Sequence, residues 1–270
     1  MSEKKDAKVT TATFARMKRE GDKITMLTAY DYTMARILDE AGVDSILVGD
    51  SASNVVAGWP TTLPITIDQM IYHGAAVARA VRRALVVVDM PFGSYQSGVR
   101  DGVAAAARMM KETLADALKI EGGQEMIPVI SAIVNAGVPV VGHLGLTPQS
   151  VNKFGGYGLR AKDEAEAAKL RADAKALEAA GCFAIVLEKI PASLAAMVAG
   201  EVAVPIIGIG AGAEVDGQVL VGQDMLGMGG MFRPKFVRQY LNLHDEIADA
   251  VRRYSADVKG GTFPGPAEQY

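Results

Sequence analysis

The chain has 270 residues, half of them hydrophobic, and a formal net charge of −3. That suits one large α/β domain with a sizeable core, expected over residues 1–270 with a short N-terminal extension and a Gly- and Pro-rich C-terminal tail. There is no basic stripe for nucleic acid, the apolar runs are too broken by Gly, Asp and Pro to span a membrane, and the single cysteine, Cys182, excludes an intrachain disulfide and a CxxC metal site. The N-terminus, MSEKKDAKVTTATF, has no apolar stretch of signal-peptide type, so a reducing, cytoplasmic setting is expected.

Along the chain, short apolar runs alternate with amphipathic segments. KITMLTAY (23–30) is followed by a helical pattern over 31–42, SILVGD (45–50) by one over 68–83, and ALVVVDMP (84–91) by one over 101–115. ALKIEGG (117–123) precedes a helical pattern over 124–136, VPVVGHLGL (138–146) one over 162–180, and FAIVLEKI (183–190) one over 192–200. VPIIGIGAG (204–212) and the less regular VLVGQDML (219–226) complete the strand set before a last helical pattern over 234–256. Asp68 and Asp163 stand where helix N-termini are expected. The runs are continuously apolar and rich in Val and Ile, as strands buried on both faces of a parallel sheet must be. A weak repeat, AGV or AAG at 41–43, 136–138 and 179–181, places a left-handed glycine cap between helix and strand. Eight strands alternating with helices predict a (β/α)₈ TIM barrel. A doubly wound open sheet is the alternative, disfavoured because no GxGxxG follows the first strand.

Four acidic residues end four of these runs: Asp50, Asp89, Glu121 and Glu188. In a parallel barrel such strand ends converge on one mouth, where several partly desolvated carboxylates together call for a cation or a proton. Asp50, Asp89 and Glu121 offer only oxygen, which favours Mg²⁺ over zinc. Three ionised carboxylates are balanced in charge by one divalent cation and Lys119. Taken singly, each carboxylate fits a helix cap or an ion pair better; three at successive strand ends favour the metal. Lys119, two residues before Glu121, shares its face and suits a structural ion pair or a substrate carboxylate. Ser51 is placed either to bind such a carboxylate or to cap the next segment. Glu188, outside the first group, is a general-base candidate, with an ion pair as the alternative. His143 is the one histidine inside a strand-like run; it is either a hydrogen-bonded core residue or a group that polarises a carbonyl. GIGAG (208–212) reads as a phosphate cradle or as a place of close backbone approach. TTLPIT (61–66) and FGGYGLR (154–160) read as loops over the mouth, with Trp59, Tyr157 and Arg160 at hand.

LVGDS (47–51), TTLPIT (61–66), DMPFGSY (89–95), KIEGG (119–123), GHLGLTPQS (142–150), FGGY (154–157), VLE (186–188) and IGIGAG (207–212), in this order, resemble the ketopantoate hydroxymethyltransferase family. The resemblance runs from about Thr11 to Pro264 and implies a barrel of the phosphoenolpyruvate-binding superfamily. It implies a Mg²⁺-dependent, one-carbon transferase of pantothenate and coenzyme A biosynthesis. Such an enzyme moves a hydroxymethyl group from 5,10-methylenetetrahydrofolate to 3-methyl-2-oxobutanoate through a magnesium-stabilised enolate, giving 2-dehydropantoate. It assigns metal binding to Asp50, Asp89 and Glu121, oxoacid binding to Asp50, Ser51, Asp89 and Lys119, and proton acceptance to Glu188. In the scheme these roles make together, His143 contacts the enolate or relays a proton. The resemblance also implies small-molecule partners and a homo-oligomer, often a decamer. GWP (58–60) and GMGGMFRPKF (227–236) depart from the family pattern, in loops rather than in the metal set. Two other classes stay open: a Mg²⁺-dependent lyase or mutase of the same superfamily, which would use a cysteine near the site, and a barrel that only binds a ligand.

Overall fold

Eight strands pair in parallel and in chain order, and β8 pairs back onto β1 to close a barrel in the computed structural model, which describes residues 7–229 and 234–270. The strands are β1 (Ile24–Thr28), β2 (Ser45–Val48), β3 (Leu85–Asp89), β4 (Ala117–Glu121), β5 (Val140–Gly145), β6 (Ala184–Glu188), β7 (Ile206–Ile209) and β8 (Gly217–Leu220). Helices Tyr32–Glu40, Ile67–Ala80, Val99–Thr113, Ile127–Asn135, Glu164–Ala179 and Ala192–Glu201 fall between them, as the alternating pattern predicts. Asp163 caps its helix by accepting the N–H of Glu166. At the earlier site the cap is Thr66, in a reciprocal box with Gln69, and Asp68 lies in the first turn. The three repeat glycines, Gly42, Gly137 and Gly181, all have φ between 90° and 93°.

The two faces of each strand separate cleanly, because side chains alternate along a strand. Outward residues such as Val86, Val88, Leu118, Ile120, Leu144, Ile185 and Leu187 pack beneath the helices. Inward residues Met26, Leu47, Leu85, Val87, Ala117, Val141, Ala184, Val186, Ile207 and Val219 fill the barrel's lower interior. One step further along, the inward positions change chemistry. They become Asp89, Lys119, Glu121, His143 and Glu188, a polar layer seated on the apolar one.

Three elements differ from expectation. Helix Thr11–Glu20 lies within the presumed N-terminal extension. It is capped by Thr10 with Thr13, a pair without the Glu or Gln that usually signals such a box. Its Phe14 and Met17 join the inward cluster, so it closes the N-terminal end of the barrel. The eighth strand ends at Leu220, because Gly222–Met225 turns into a short helix after the β-branched run stops. The unit from Gly222 onward, described by itself, carries helix Leu243–Gly260, which begins later than the pattern suggested and runs into the tail until Gly261 ends it in a left-handed conformation. Residues 230–233, within GMGGMFRPKF, lie outside the described residues.

Candidate active site

Each site residue stands at the C-terminal end of a strand or just beyond it. Register sets the neighbours: Asp89 lies beside Lys119, Glu121 beside His143, and Gly145 beside Glu188. Lys119 and Glu121 share the inward face, as their spacing predicts. The Lys119 ammonium sits 3.1 Å from Asp89 Oδ1 and 3.8 Å from Glu121 Oε1. It also lies 3.1 Å from His143 Nδ1. An ammonium has no lone pair, so toward Lys119 Nδ1 accepts, while the same nitrogen also lies 3.3 Å from Glu121 Oε1; the arrangement that serves Lys119 puts the ring proton on Nε2. That nitrogen is 3.3 Å from Glu188 Oε2. His143 therefore bridges the lysine–carboxylate group and Glu188, whose side chain is 16% exposed where those of Asp89, Lys119, Glu121 and His143 are almost fully buried.

The carboxylates are held by one oxygen each. Asp89 Oδ2 accepts the backbone N–H of Asp50 at 3.0 Å, and Glu121 Oε2 accepts that of Gln149 at 2.9 Å. Asp50 Oδ2 accepts from the Gln149 side-chain amide at 2.9 Å. Asp89 Oδ1, Glu121 Oε1 and His143 Nε2 are buried without an aligned hydrogen-bond partner. The charges answer this crowding. Burial, then the nearby Glu121 and Asp89, pushes the Asp50 carboxyl well above its ordinary range. Burial raises Glu121 to about 7, against the pull of Lys119. Burial opposes the charge on Lys119, but Asp89, Glu121 and Asp50 together carry its pKa upward. Burial and then Lys119 lower that of His143, which favours the neutral ring.

The donor set fits a hard divalent cation in kind: all oxygen, buried, mutually repelling, with two oxygens unsatisfied. Among the described residues no group of three or more His, Cys, Asp or Glu is already gathered around one point as a coordination shell; the Lys119 ammonium is shared between Asp89 and Glu121 instead. Ser51 pairs with Tyr30, hydroxyl to hydroxyl at 2.8 Å. Beyond Glu188, Lys189 adopts φ 48°, a conformation uncommon for a side-chain-bearing residue, and its ammonium donates to the Tyr157 carbonyl rather than to Glu188. The Tyr157 hydroxyl reaches the carbonyl of Pro60, the residue just before the expected 61–66 loop, at 3.4 Å. Arg160 lies over the Phe154 ring and pairs with Glu166. In GIGAG the missing side chain of Gly212 makes room for Ala192, which supports close approach rather than a phosphate cradle. Gln149 and Tyr95, both buried at the centre of the cluster, escaped the sequence reading, which sought charged and metal-ligating types; the PQS turn after a strand was the available signal.

The family model described as ketopantoate hydroxymethyltransferase matches residues 8–266. The chain belongs to that family. A Bacteroides fragilis 3-methyl-2-oxobutanoate hydroxymethyltransferase is 63% identical, covering 97% of this chain and 96% of its own. A Flavobacterium johnsoniae protein of the same name is 62% identical over 99% of this chain and 98% of its own. Among solved structures, a phosphonopyruvate hydrolase complexed with oxalate and Mg²⁺ superposes with a TM-score of 0.62 at 13% identity, covering 96% of this chain and 91% of its own. A 2,3-dimethylmalate lyase of the PEP mutase/isocitrate lyase superfamily gives 0.57 at 15%, covering 96% and 90%. At those identities the likeness concerns the barrel alone, and it agrees with the (β/α)₈ fold expected of the chain.

Proposed function

We propose that this chain transfers a hydroxymethyl group from 5,10-methylenetetrahydrofolate to 3-methyl-2-oxobutanoate, giving 2-dehydropantoate (ketopantoate) for pantothenate and coenzyme A synthesis. Family membership and the names of its near-full-length relatives support the reaction. The observation that carries the mechanism is the division of the cluster: a buried lysine–carboxylate group on one side of His143 and the more open Glu188 on the other.

Asp50, Asp89 and Glu121 would hold a divalent cation such as Mg²⁺, which when bound supplies the Lewis acidity that makes the C3 hydrogen of a 2-oxoacid easier to remove. Ser51 and Lys119 offer a hydroxyl and a positive charge to the oxoacid's oxygens. Glu188 takes the C3 proton, and the pair of the broken C3–H bond moves into the C2–C3 bond as negative charge develops on the C2 oxygen. His143 stays neutral, and its Nε2 lies 3.3 Å from Glu188 Oε2, within reach of that carboxylate as its charge changes. C3 then bonds to the methylene carbon of the donor as one of that carbon's two bonds to nitrogen breaks; water replaces the second nitrogen to supply the new hydroxyl, and tetrahydrofolate leaves with the proton taken from C3 and one from the water. Cys182 precedes β6 at the far end of the barrel, and burial raises its thiol to about 12, so it does not serve as the acid of a lyase or mutase. The same reading includes a cytoplasmic location and the homo-oligomer, a decamer, implied by the family. Exposed Ile247, Val251, Tyr254 and Val258 along one side of helix Leu243–Gly260 support self-association, and among the described residues no helix is long and apolar enough to cross a membrane.

The test needs no folate. With Mg²⁺ in D₂O the protein is expected to exchange the C3 hydrogen of 3-methyl-2-oxobutanoate, followed by NMR. Glu188→Gln should slow that exchange by roughly 10²- to 10⁴-fold, as loss of a general base does, while oxoacid binding persists. Undiminished exchange in the variant would sink the assignment of Glu188.

A further inference from the structure

A neutral amide sits at the centre of the charged cluster. Gln149 lies in the turn Pro148–Ser150 that follows β5, and its side chain is buried. An amide has two N–H donors and two acceptor directions, and here four partners use them. Nε2 donates to Asp50 Oδ2 and to the Met90 carbonyl, each at 2.9 Å. Oε1 accepts from the Tyr95 hydroxyl at 2.7 Å and from Gln96 Nε2 at 3.1 Å. The reversed amide would set its oxygen against a carboxylate and a carbonyl, so this orientation is determined by the network. The main-chain N–H of the same residue donates to Glu121 Oε2 at 2.9 Å. One residue thus grips two of the three carboxylates, from the ends of β2 and β4, and is itself gripped by Tyr95 and Gln96.

We propose that Gln149 is a positioning residue that sets the cation affinity of the site. It ties one oxygen each of Asp50 and Glu121 to the protein, while Glu121 Oε1 and Asp89 Oδ1 are left without an aligned partner. Partners that fix the orientation of ligating groups typically matter by about 10- to 100-fold in metal affinity. Tyr95 acts one step behind, holding the acceptor side of the amide and also accepting the Glu121 N–H at 3.2 Å. The inference rests on Asp50, Asp89 and Glu121 being the cation ligands, as proposed above.

Mn²⁺, a hard cation with an EPR signal, is the probe. Free and bound Mn²⁺ would be measured for the full-length native protein and for Asp89→Asn, Gln149→Met and Tyr95→Phe, with circular dichroism and thermal midpoint recorded alongside. Native protein is expected to bind one Mn²⁺ per chain and Asp89→Asn to bind weakly. Gln149→Met should weaken binding by about 10- to 100-fold and change the line shape of the bound ion, with the dichroism spectrum retained. Tyr95→Phe keeps the buried ring and should weaken binding several-fold in the same direction. A Gln149→Met Kd within twofold of native overturns the positioning role. If that variant does not fold, Tyr95→Phe decides: an unchanged Kd and line shape overturn the role. If native protein binds no Mn²⁺, or Asp89→Asn binds it equally well, the cation reading itself fails and takes this inference with it.

Discussion

At Glu121, burial outweighs the neighbouring Lys119 and moves the carboxyl from 4.5 to about 7. Asp50 moves the same way. A carboxyl whose folded pKa lies above its unfolded one binds more protons in the folded state, so its contribution to stability is full below the unfolded pKa and is lost as pH rises through the folded one. His143, lowered from 6.5, acts in the opposite sense, adding stability as pH rises through its unfolded value. Two carboxyls against one imidazole leave a net fall. In chelator, the thermal midpoint is therefore expected to decline between about pH 4.5 and 7, and saturating Mg²⁺ should flatten that decline because ionised carboxylates then have a partner. Calorimetric scans across that range, with and without Mg²⁺, check the sign. The acidic members of this cluster were legible from sequence because each ends an apolar run, where a charge has no packing reason to be. Gln149 and Tyr95 were not, since an uncharged polar residue in a loop looks the same whether it points to water or into a ring of carboxylates.

The junction between β5 and β6 shows how much placement depends on backbone. Gly145 has φ 89°, and a Cβ there would overlap the carbonyl oxygen of Glu188, which accepts the N–H of Leu146 at 2.8 Å. Gly145→Ala is expected to cost at least about 1–3 kcal/mol from the backbone conformation alone, read from the urea midpoint. Because the clash falls on Glu188, C3 exchange should drop further than Mn²⁺ affinity does. The strands themselves were legible as uninterrupted Val- and Ile-rich runs, and the glycine junctions marked where they begin. Helix Thr11–Glu20 was not, because its cap is a Thr–Thr pair and its apolar residues, Phe14 and Met17, are few among polar ones. Nor was the shift of the eighth strand, where apolar Val219–Val221 runs straight into Gly222 without a turn signal.

On the scale of the barrel, that N-terminal helix matters most. Phe14 stacks at a tilt on Phe183, 5.9 Å between ring centres. Lys18 reaches the Ala199 carbonyl and Asp216 ahead of β8, each at 2.8 Å. Just before the helix, Lys8 reaches the Ala84 carbonyl and Asp116 ahead of β3 and β4, each at 2.7 Å. The lower end is thus stoppered and tethered to three strands, which among the described residues leaves the rim that carries the polar layer as the way in. A vessel with one doorway imposes a queue. On the proposed reaction the small oxoacid would settle on the strand ends first, because the bulkier folate donor would stand between it and its seat. Initial-rate kinetics are expected to show an ordered sequence with the oxoacid leading, and excess donor to inhibit by forming a dead-end complex; a random-order pattern would mean that the two substrates pass each other at the rim.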